Sequence, residues 1–318
     1  MALPLSPPLK PQLARSARSL PDDPPGSWSY EPKWDGFRAL AFRDGDTLEL
    51  QSRNGRPLTR YFPEIALPAG SFVLDGELVI EGEDGREDFD ALSQRIHPAA
   101  SRIARLAQEI PARYVAFDLL AEGEEALLER PFAERRTALE TLAAGLGGIE
   151  LTPCASEVAD AAPWLAGAEG VVAKQREAPY RPGERAGMVK VKRVRTIDAV
   201  IVGWRPGKEA GTVGSLILGL YDESGELRVV GHSSGFRARE KRELVDRLAP
   251  FESGERGTAE PSRWSADRDL EWVGLRPELV VEATFDHVSG RRIRHGAKVV
   301  RWREDRDPRS CTIDQLAA

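Results

Sequence analysis

The amino-acid sequence predicts an α+β fold in two domains, residues 1–195 built from antiparallel sheets and helices and residues 196–318 built as a five-stranded barrel. Three observations lead there. Short runs with the two-residue alternation of half-buried strands are interleaved with segments of helical spacing in the first part. After Arg195 the texture changes to short strands separated by Gly-rich turns, with one helical segment among them. At roughly 100–200 residues per domain, 318 residues are too many for one core and enough for two.

Taken in order, the first 27 residues are rich in Pro and Ser and read as an arm or loop. Residues 37–42 and 47–52 flank Asp44-Gly45, a dipeptide that favours a tight hairpin turn. Residues 72–80 alternate as a strand, 88–96 and 101–110 have helical spacing, and 114–120 form an apolar strand. Pro131 opens a helix through residue 142, since a proline in the first turn lacks only an N–H with no helical partner. Strands at 169–174 and 188–193 close the first domain. Beyond the boundary, 198–204, 215–221 and 227–232 read as strands, Ala238–Leu248 as a helix, and 279–285 and 297–302 as two more strands. A helix between the third and fourth of five strands suits a small Greek-key barrel of the oligonucleotide-binding (OB) type.

Composition excludes several classes. With 41% apolar and 30% charged residues the chain is globular, neither disordered nor fibrous. No uninterrupted apolar run approaches the roughly 18–20 residues of a membrane span, and the first 20 residues alternate prolines with bases and lack the apolar stretch of a secretory signal. A cytoplasmic monomer without a membrane partner is expected. Cys154 and Cys311 are the only cysteines, too few for a disulfide framework or a Cys-rich zinc site. His97, His232, His287 and His295 have no metal-ligand spacing among themselves.

The 45 Lys and Arg against 51 Asp and Glu, net −6, argue mildly against a nucleic-acid binder. Local charge points the other way. Residues 185–195 hold five bases (Arg185, Lys190, Lys192, Arg193, Arg195) and no acid, and residues 288–303 hold six (Arg291, Arg292, Arg294, Lys298, Arg301, Arg303) and no acid. Such blocks attract phosphates even on a chain that is acidic as a whole.

Chemistry starts at Glu31-Pro32-Lys33-Trp34-Asp35-Gly36-Phe37-Arg38. A lysine followed by an acid, a glycine and an arginine is either a charged turn or an amine nucleophile. An amine attacks only when neutral, which requires desolvation, nearby cations or a metal to lower its pKa. Gly36 allows close backbone approach to a ligand, and Arg38 offers a planar fork suited to phosphate. Further patterns follow in order: Ser52-Arg53-Asn54-Gly55, Leu74-Asp75-Gly76-Glu77-Leu78, Phe117-Asp118 ending a strand, Glu169-Gly170-Val171-Val172-Ala173-Lys174, and Val189-Lys190-Val191-Lys192. Strand alternation puts Lys190 and Lys192 on one face, as a phosphate clamp requires, and likewise Asp75 and Glu77, of which Glu77 is selected as the site residue.

In these six ordered motifs the sequence resembles the covalent nucleotidyltransferase superfamily, most closely ATP-dependent DNA ligases, and the resemblance covers nearly the whole chain. It implies a nucleotidyltransferase (adenylation) domain over 1–195 followed by an OB-fold barrel. It further implies that Lys33 attacks the α-phosphate of ATP, forming a covalent lysyl-AMP and releasing pyrophosphate. Glu31 would recognise the adenine, in part through its backbone, and Phe117 would stack on its face. Glu77 would take a ribose hydroxyl or a metal-bound water, with Arg53 and Arg38 on ribose and phosphates. Glu169 would be the metal carboxylate for Mg²⁺ (or Mn²⁺), with Asp35 close by. Lys190 and Lys192 would neutralise charge on the α-phosphate, with Lys174 and Arg185 as additional contacts. AMP would then pass to the 5′-phosphate of a DNA nick, and the 3′-hydroxyl would seal it.

The tail, Val300-Arg301-Trp302-Arg303-Glu304-Asp305-Arg306, is similar to the final ligase motif, whose bases orient the pyrophosphate; Arg301, Arg303 and Arg306 are the matching positions. Many relatives carry lysine where this chain has Arg306. A hinge is expected near residues 193–197, because a barrel serving both the ATP and the DNA steps must move. The proline-rich start resembles that of bacterial stand-alone ligases of the ligase C group, with Gln12 in place of the usual methionine. Nothing in the chain resembles an added DNA-binding, polymerase or phosphoesterase domain. Grip on nicked duplex DNA is therefore expected from the basic stretches and loops or from end-binding and polymerase partners, in bacterial DNA repair at the nucleoid. An RNA ligase is the alternative reading, since it shares the lysine motif.

Overall fold

A computed structural model describes residues 3–82, 85–193, 195–259, 270–286, 288–289, 291–293 and 296–316. The chain divides into two compact units, Met1–Arg193 and Val194–Ala318.

In the first unit the amino-terminal arm is ordered rather than a loose loop: β1 (Arg15–Ala17) pairs in parallel with a strand near the end of the unit. Then come β2 (Trp28–Pro32), β3 (Phe37–Gly45), β4 (Thr47–Ser52) and β5 (Gly70–Val79). Of these, β3 and β4 form the expected hairpin. Helix α1 (Phe89–Gln94) starts at Asp88, whose side chain accepts a hydrogen bond from the Ala91 N–H as an N-cap should. Helix α2 (Ala100–Glu109), β6 (Arg113–Glu122) and β7 (Glu125–Ala126) follow. Pro131 is the N-cap residue of α3 (Phe132–Leu146). The unit ends with β8 (Glu150–Leu151), α4 (Val158–Gly167), β9 (Gly170–Gln175) and β10 (Met188–Lys192).

These strands make two sheets. One has the order β1-β10-β9-β2; the other runs β4-β3-β5-β6-β7, with β8 parallel to β6. Alternation divides the larger sheet into two faces. Ala39, Ala41, Phe72, Leu74 and Leu78 join the main core with Leu92, Leu119 and Leu139. Leu40, Phe42 and Val73, on the opposite face, pack with Tyr180 and with Leu3, Leu5 and Leu9 of the arm. Gln12, the departure from the ligase C lead-in, is 4% exposed. Its backbone N–H donates to the Tyr180 hydroxyl (3.0 Å), its amide donates to the Ala186 carbonyl, and its side-chain oxygen accepts from the Arg181 N–H (3.3 Å). An amide at this buried position makes bonds that a methionine thioether has no means to reproduce.

The second unit contains the five expected strands: β11 (Arg195–Pro206), β12 (Val213–Tyr221), β13 (Leu227–Ser234) and, after α5 (Ala238–Leu248), two later ones. A hairpin, β14 (Glu252–Ala259) and β15 (Leu270–Leu275), which the sequence reading left out, is inserted before them. Then come β16 (Val280–Phe285), the short pair β17 (Val288–Ser289) and β18 (Arg292–Ile293), and β19 (Lys298–Trp302). The sheet runs β13-β12-β11-β15-β14, with β16 pairing both β11 and β19, around a core that includes Val200, Leu218, Leu220 and Val281. His287, Arg294 and His295 lie outside the described residues.

Candidate active site

Lys33 follows β2 directly. Its backbone N–H donates to the Gly170 carbonyl at the start of β9 (2.9 Å), and the next side chain, Trp34, donates from Nε1 to Thr152 (2.9 Å). The loop is thus tied on both sides. Gly36 has a different neighbour from the one expected of it: an added Cβ would lie 2.2 Å from the Leu78 carbonyl and 2.8 Å from Glu77 Cγ. The glycine lets β3 close onto β5, which sets Arg38 opposite Glu77 in the ladder.

The Lys33 ammonium meets Glu169 Oε2, and the other oxygen of that carboxylate is 3.1 Å from Lys192 Nζ. Burial pushes the Lys33 amine down to about 8 from its ordinary 10.5. The Glu77 and Asp35 carboxylates oppose this shift, and the Lys192 and Lys190 cations reinforce it. Lys190 and Lys192 are the half-buried positions of β10, alternating with buried Val189 and Val191, so they do share a face. Glu77 is itself pushed up to about 7 by burial, with Lys33 and Arg38 opposing and Asp75 and Asp35 adding. An amine and a carboxyl both displaced toward neutrality mark this cluster as a candidate site.

Phe117 is placed by a β-bulge. Asp75 pairs with Asp118 and Gly76 with Ala116, which leaves Phe117 as the extra residue between them. The bulge reverses the facing of β6: Tyr114 and Ala116 before it, and Leu119 after it, all enter the same core. Bulges re-aim side chains in this way beside active sites. Phe117 stays half-buried outside the hydrophobic clusters, with the Arg38 guanidinium 5.4 Å and the Lys174 ammonium 4.6 Å from its ring centre.

Lys174 is 5% exposed; it donates to the Phe117 carbonyl (2.8 Å) and pairs with Glu31 Oε2 (2.8 Å). The Glu31 side chain is therefore turned toward Lys174 and Arg136, the latter 3.8 Å from its second oxygen, and burial raises its carboxyl above the usual range. Sequence reasoning set Asp75 aside, yet it is fully buried and grips Arg38 with both oxygens, at 2.9 Å to Nε and 2.5 Å to Nη2. Burial works against the Arg38 charge, and Asp75 more than offsets it, so the pKa rises. Glu87, ahead of α1, was also missed; burial raises its carboxyl, with Asp35 adding to the shift. Strand alternation puts Asp75 beside Glu77, whereas no local pattern marks Glu87.

The remaining expected residues have partners or exposure of their own. Arg53 is exposed in the turn after β4. Arg185 is exposed and donates to the Ala14 carbonyl (3.3 Å) rather than to a pocket residue. In the second unit, Arg301 donates to Glu282 (2.6 Å), and Arg303 donates to Asp198 (2.8 Å) and, from two nitrogens, to Asp305 (2.9 Å each). Arg306 is 3.4 Å from Asp198. Asp198 and Glu282 face each other across β11 and β16, and the arginines offset that like-charged pair. Among the described residues no group of three or more His, Cys, Asp or Glu side chains is spaced to hold a metal ion. Asp35, Glu77 and Glu169 do offer hard oxygen donors, which suits an ion that arrives on polyphosphate and takes only one or two carboxylates.

A lysine with a lowered pKa among cations and carboxylates, on an α+β unit followed by an OB-like barrel, is the arrangement expected of a nucleotidyltransferase. The comparisons make this specific. Residues 11–192 match the family model described as ATP dependent DNA ligase domain, and residues 209–306 match ATP dependent DNA ligase C terminal region. The chain belongs to the ATP-dependent DNA ligase family, enzymes that use ATP to form phosphodiester bonds in DNA. It is 47% identical to DNA ligase C1 of Mycolicibacterium smegmatis, covering 99% of this chain and 96% of that protein. To DNA ligase C of Mycobacterium tuberculosis it is 44% identical, with the same coverage. The solved structure of a mycobacterial DNA ligase D complexed with ATP and MES superimposes with a TM-score of 0.53 at 30% identity, covering 96% of this chain and 98% of that one. No described helix is long and apolar enough to cross a membrane.

Proposed function

We propose that this enzyme seals 5′-phosphate/3′-hydroxyl nicks in duplex DNA through a covalent AMP on Lys33, in bacterial DNA repair. The observation that carries the reading is the Lys33 amine, held at about 8 by burial and flanking cations and tied to Glu169. The neutral amine attacks the α-phosphate of ATP, a P–N bond forms, the bond to pyrophosphate breaks, and the nitrogen loses its extra proton to water. Next, an oxygen of the 5′-phosphate at the nick attacks the same phosphorus, and Lys33 leaves with a proton. Finally the 3′-hydroxyl attacks the activated 5′-phosphate and loses its proton to water, and AMP departs.

The chain's residues hold the parts in place. Phe117, braced by Lys174 and Arg38, presents a flat face for adenine, and Glu31 acts by holding Lys174. Arg38 and Arg53 serve ribose and phosphate oxygens. Lys190 and Lys192 offset charge that gathers on the α-phosphate. Arg301, Arg303 and Arg306 are assigned to the pyrophosphate, and Lys174 and Arg185 are additional nucleotide contacts. Mg²⁺ (or Mn²⁺), held by Glu169 with Asp35 or Glu77, would supply further neutralisation of phosphate charge.

The test compares wild type with Lys33→Ala on nicked duplex with ATP and Mg²⁺. Wild type seals and the variant does not; equal sealing ends the proposal. Intact mass should show one AMP on the wild type, removed by pyrophosphate. Labelled GTP in place of ATP should not charge the protein. Nicks with ribose ends distinguish RNA joining, which faster sealing of those substrates would establish. The repair assignment predicts that cells lacking the enzyme accumulate unsealed breaks after DNA damage, and unchanged survival and break counts would remove it.

A further inference from the structure

We propose that Tyr180 is a positioning residue that ties the amino-terminal arm to the nucleotide site: its hydroxyl, held by the Gln12 backbone N–H, fixes the Asp75 carboxylate and through it the Arg38 guanidinium beside Phe117. The connections are continuous. The Gln12 N–H donates to the Tyr180 oxygen (3.0 Å), and the Tyr180 hydroxyl donates to Asp75 Oδ2 (2.7 Å). Asp75 accepts both Arg38 bonds, and the guanidinium sits 5.4 Å from the Phe117 ring centre. Tyr180 is 1% exposed and Asp75 0%, so water does not substitute for a lost partner.

Each link has one arrangement. Asp75 has two oxygens: one takes Arg38 Nε, the other is shared by Arg38 Nη2 and Tyr180. Without the hydroxyl one of the three bonds that fix the carboxylate is lost, and the fork that holds Arg38 loosens with it. Burial and the nearby Asp75 charge hold the Tyr180 pKa well above its ordinary value, so the hydroxyl remains a donor at every working pH. The arm end is equally fixed: the Leu9 N–H donates to Gln51 Oε1 (2.8 Å), the Gln51 amide donates to the Leu9 carbonyl (2.6 Å), and the Leu13 N–H donates to the Glu184 carbonyl (2.7 Å). Leu3, Leu5 and Leu9 pack on the cluster that contains Tyr180. The arm therefore braces Arg38 through Tyr180 and Asp75.

This inference rests on the proposed contact of Arg38 with the nucleotide, and the experiment separates the two. Lys33 charging by ATP is measured in the full chain for wild type, Tyr180→Phe, Arg38→Ala and the double variant. Tyr180→Phe removes only the hydroxyl and should raise the KM for ATP by about tenfold, the effect of one hydrogen bond to a charged group. The double variant should match Arg38→Ala alone, because both changes act through one guanidinium. A double-variant effect equal to the product of the singles, or an unchanged KM in Tyr180→Phe, overturns the inference. An unchanged KM in Arg38→Ala instead overturns the nucleotide role of Arg38. A lower Tm with wild-type KM would assign Tyr180 a purely structural role and also reject the inference.

Discussion

Charging of the enzyme with AMP should titrate with the Lys33 amine. The structure holds that amine at about 8 against an ordinary 10.5, chiefly through burial, with Lys192 and Lys190 pushing the same way. At pH 7 an amine at about 8 is roughly 10% neutral, whereas one at 10.5 is roughly 0.03% neutral, a gain of about 300-fold in the attacking species. The folded value is lowered, so the neutral form accumulates as pH rises through 8 and is lost below it. Single-turnover charging at saturating ATP should therefore gain about tenfold per pH unit below about 7 and level off above about 9. Glu77, at about 7, titrates beside it, so the profile should bend at two apparent values that belong to the pair. Removing one of the flanking cations, as in Lys192→Met, should move the upper bend toward alkaline pH. The assay is rapid quench followed by intact mass. A profile that is flat between pH 6 and 9, or one still rising at pH 10, would refute the claim that burial among cations activates Lys33.

Three further outcomes are expected. Phe117→Ala should raise the KM for ATP in charging by about 5- to 150-fold, the ~1–3 kcal/mol of a base–aromatic stack, while Phe117→Tyr stays near wild type; an unaffected alanine variant would dismiss stacking. Gly36→Ala would drive a methyl to 2.2 Å from the Leu78 carbonyl. That overpacking should cost about 1–3 kcal/mol in urea denaturation and slow AMP transfer, and full stability would contradict the close approach. Arg135→Met breaks a bidentate pair with Asp118 (2.8 and 2.9 Å) whose side chains are only 2% and 4% exposed. The stranded carboxylate should cost about 3–5 kcal/mol, read from the first unfolding transition, and a shift below about 0.5 kcal/mol would show the pair to be neutral.

Much of the site was legible in the chain. Lys33 and the Lys190/Lys192 pair were readable because residue type and strand alternation are local properties, whereas Glu77 and Glu169 were assigned through the resemblance to ligases. The same reasoning placed Asp75 and Glu77 on one face but preferred Glu77, because nothing near Asp75 in sequence signals Arg38, 37 positions away. The facing of Phe117 was not legible. The period-2 rule assumes an unbroken ladder, and the bulge that breaks it depends on how β5 pairs with β6. The first 27 residues read as an arm or loop because Pro and Ser carry no strand pattern; the arm's partners, Tyr180 and Glu184, lie far along the chain.

The sequence by itself determined the order of chemical groups, the strand and helix segments that present them, and the family. Only the tertiary structure decided that the half-buried Lys33 amine is set against Glu169, 136 positions distant, and that Asp75 rather than solvent receives Arg38. It also showed the arginines of the tail engaged by Asp198, Glu282 and Asp305 within their own unit. The reason is one of range. Propensity and periodicity act over a few residues, whereas desolvation and Coulomb interactions depend on which distant segments the fold brings within a few ångströms.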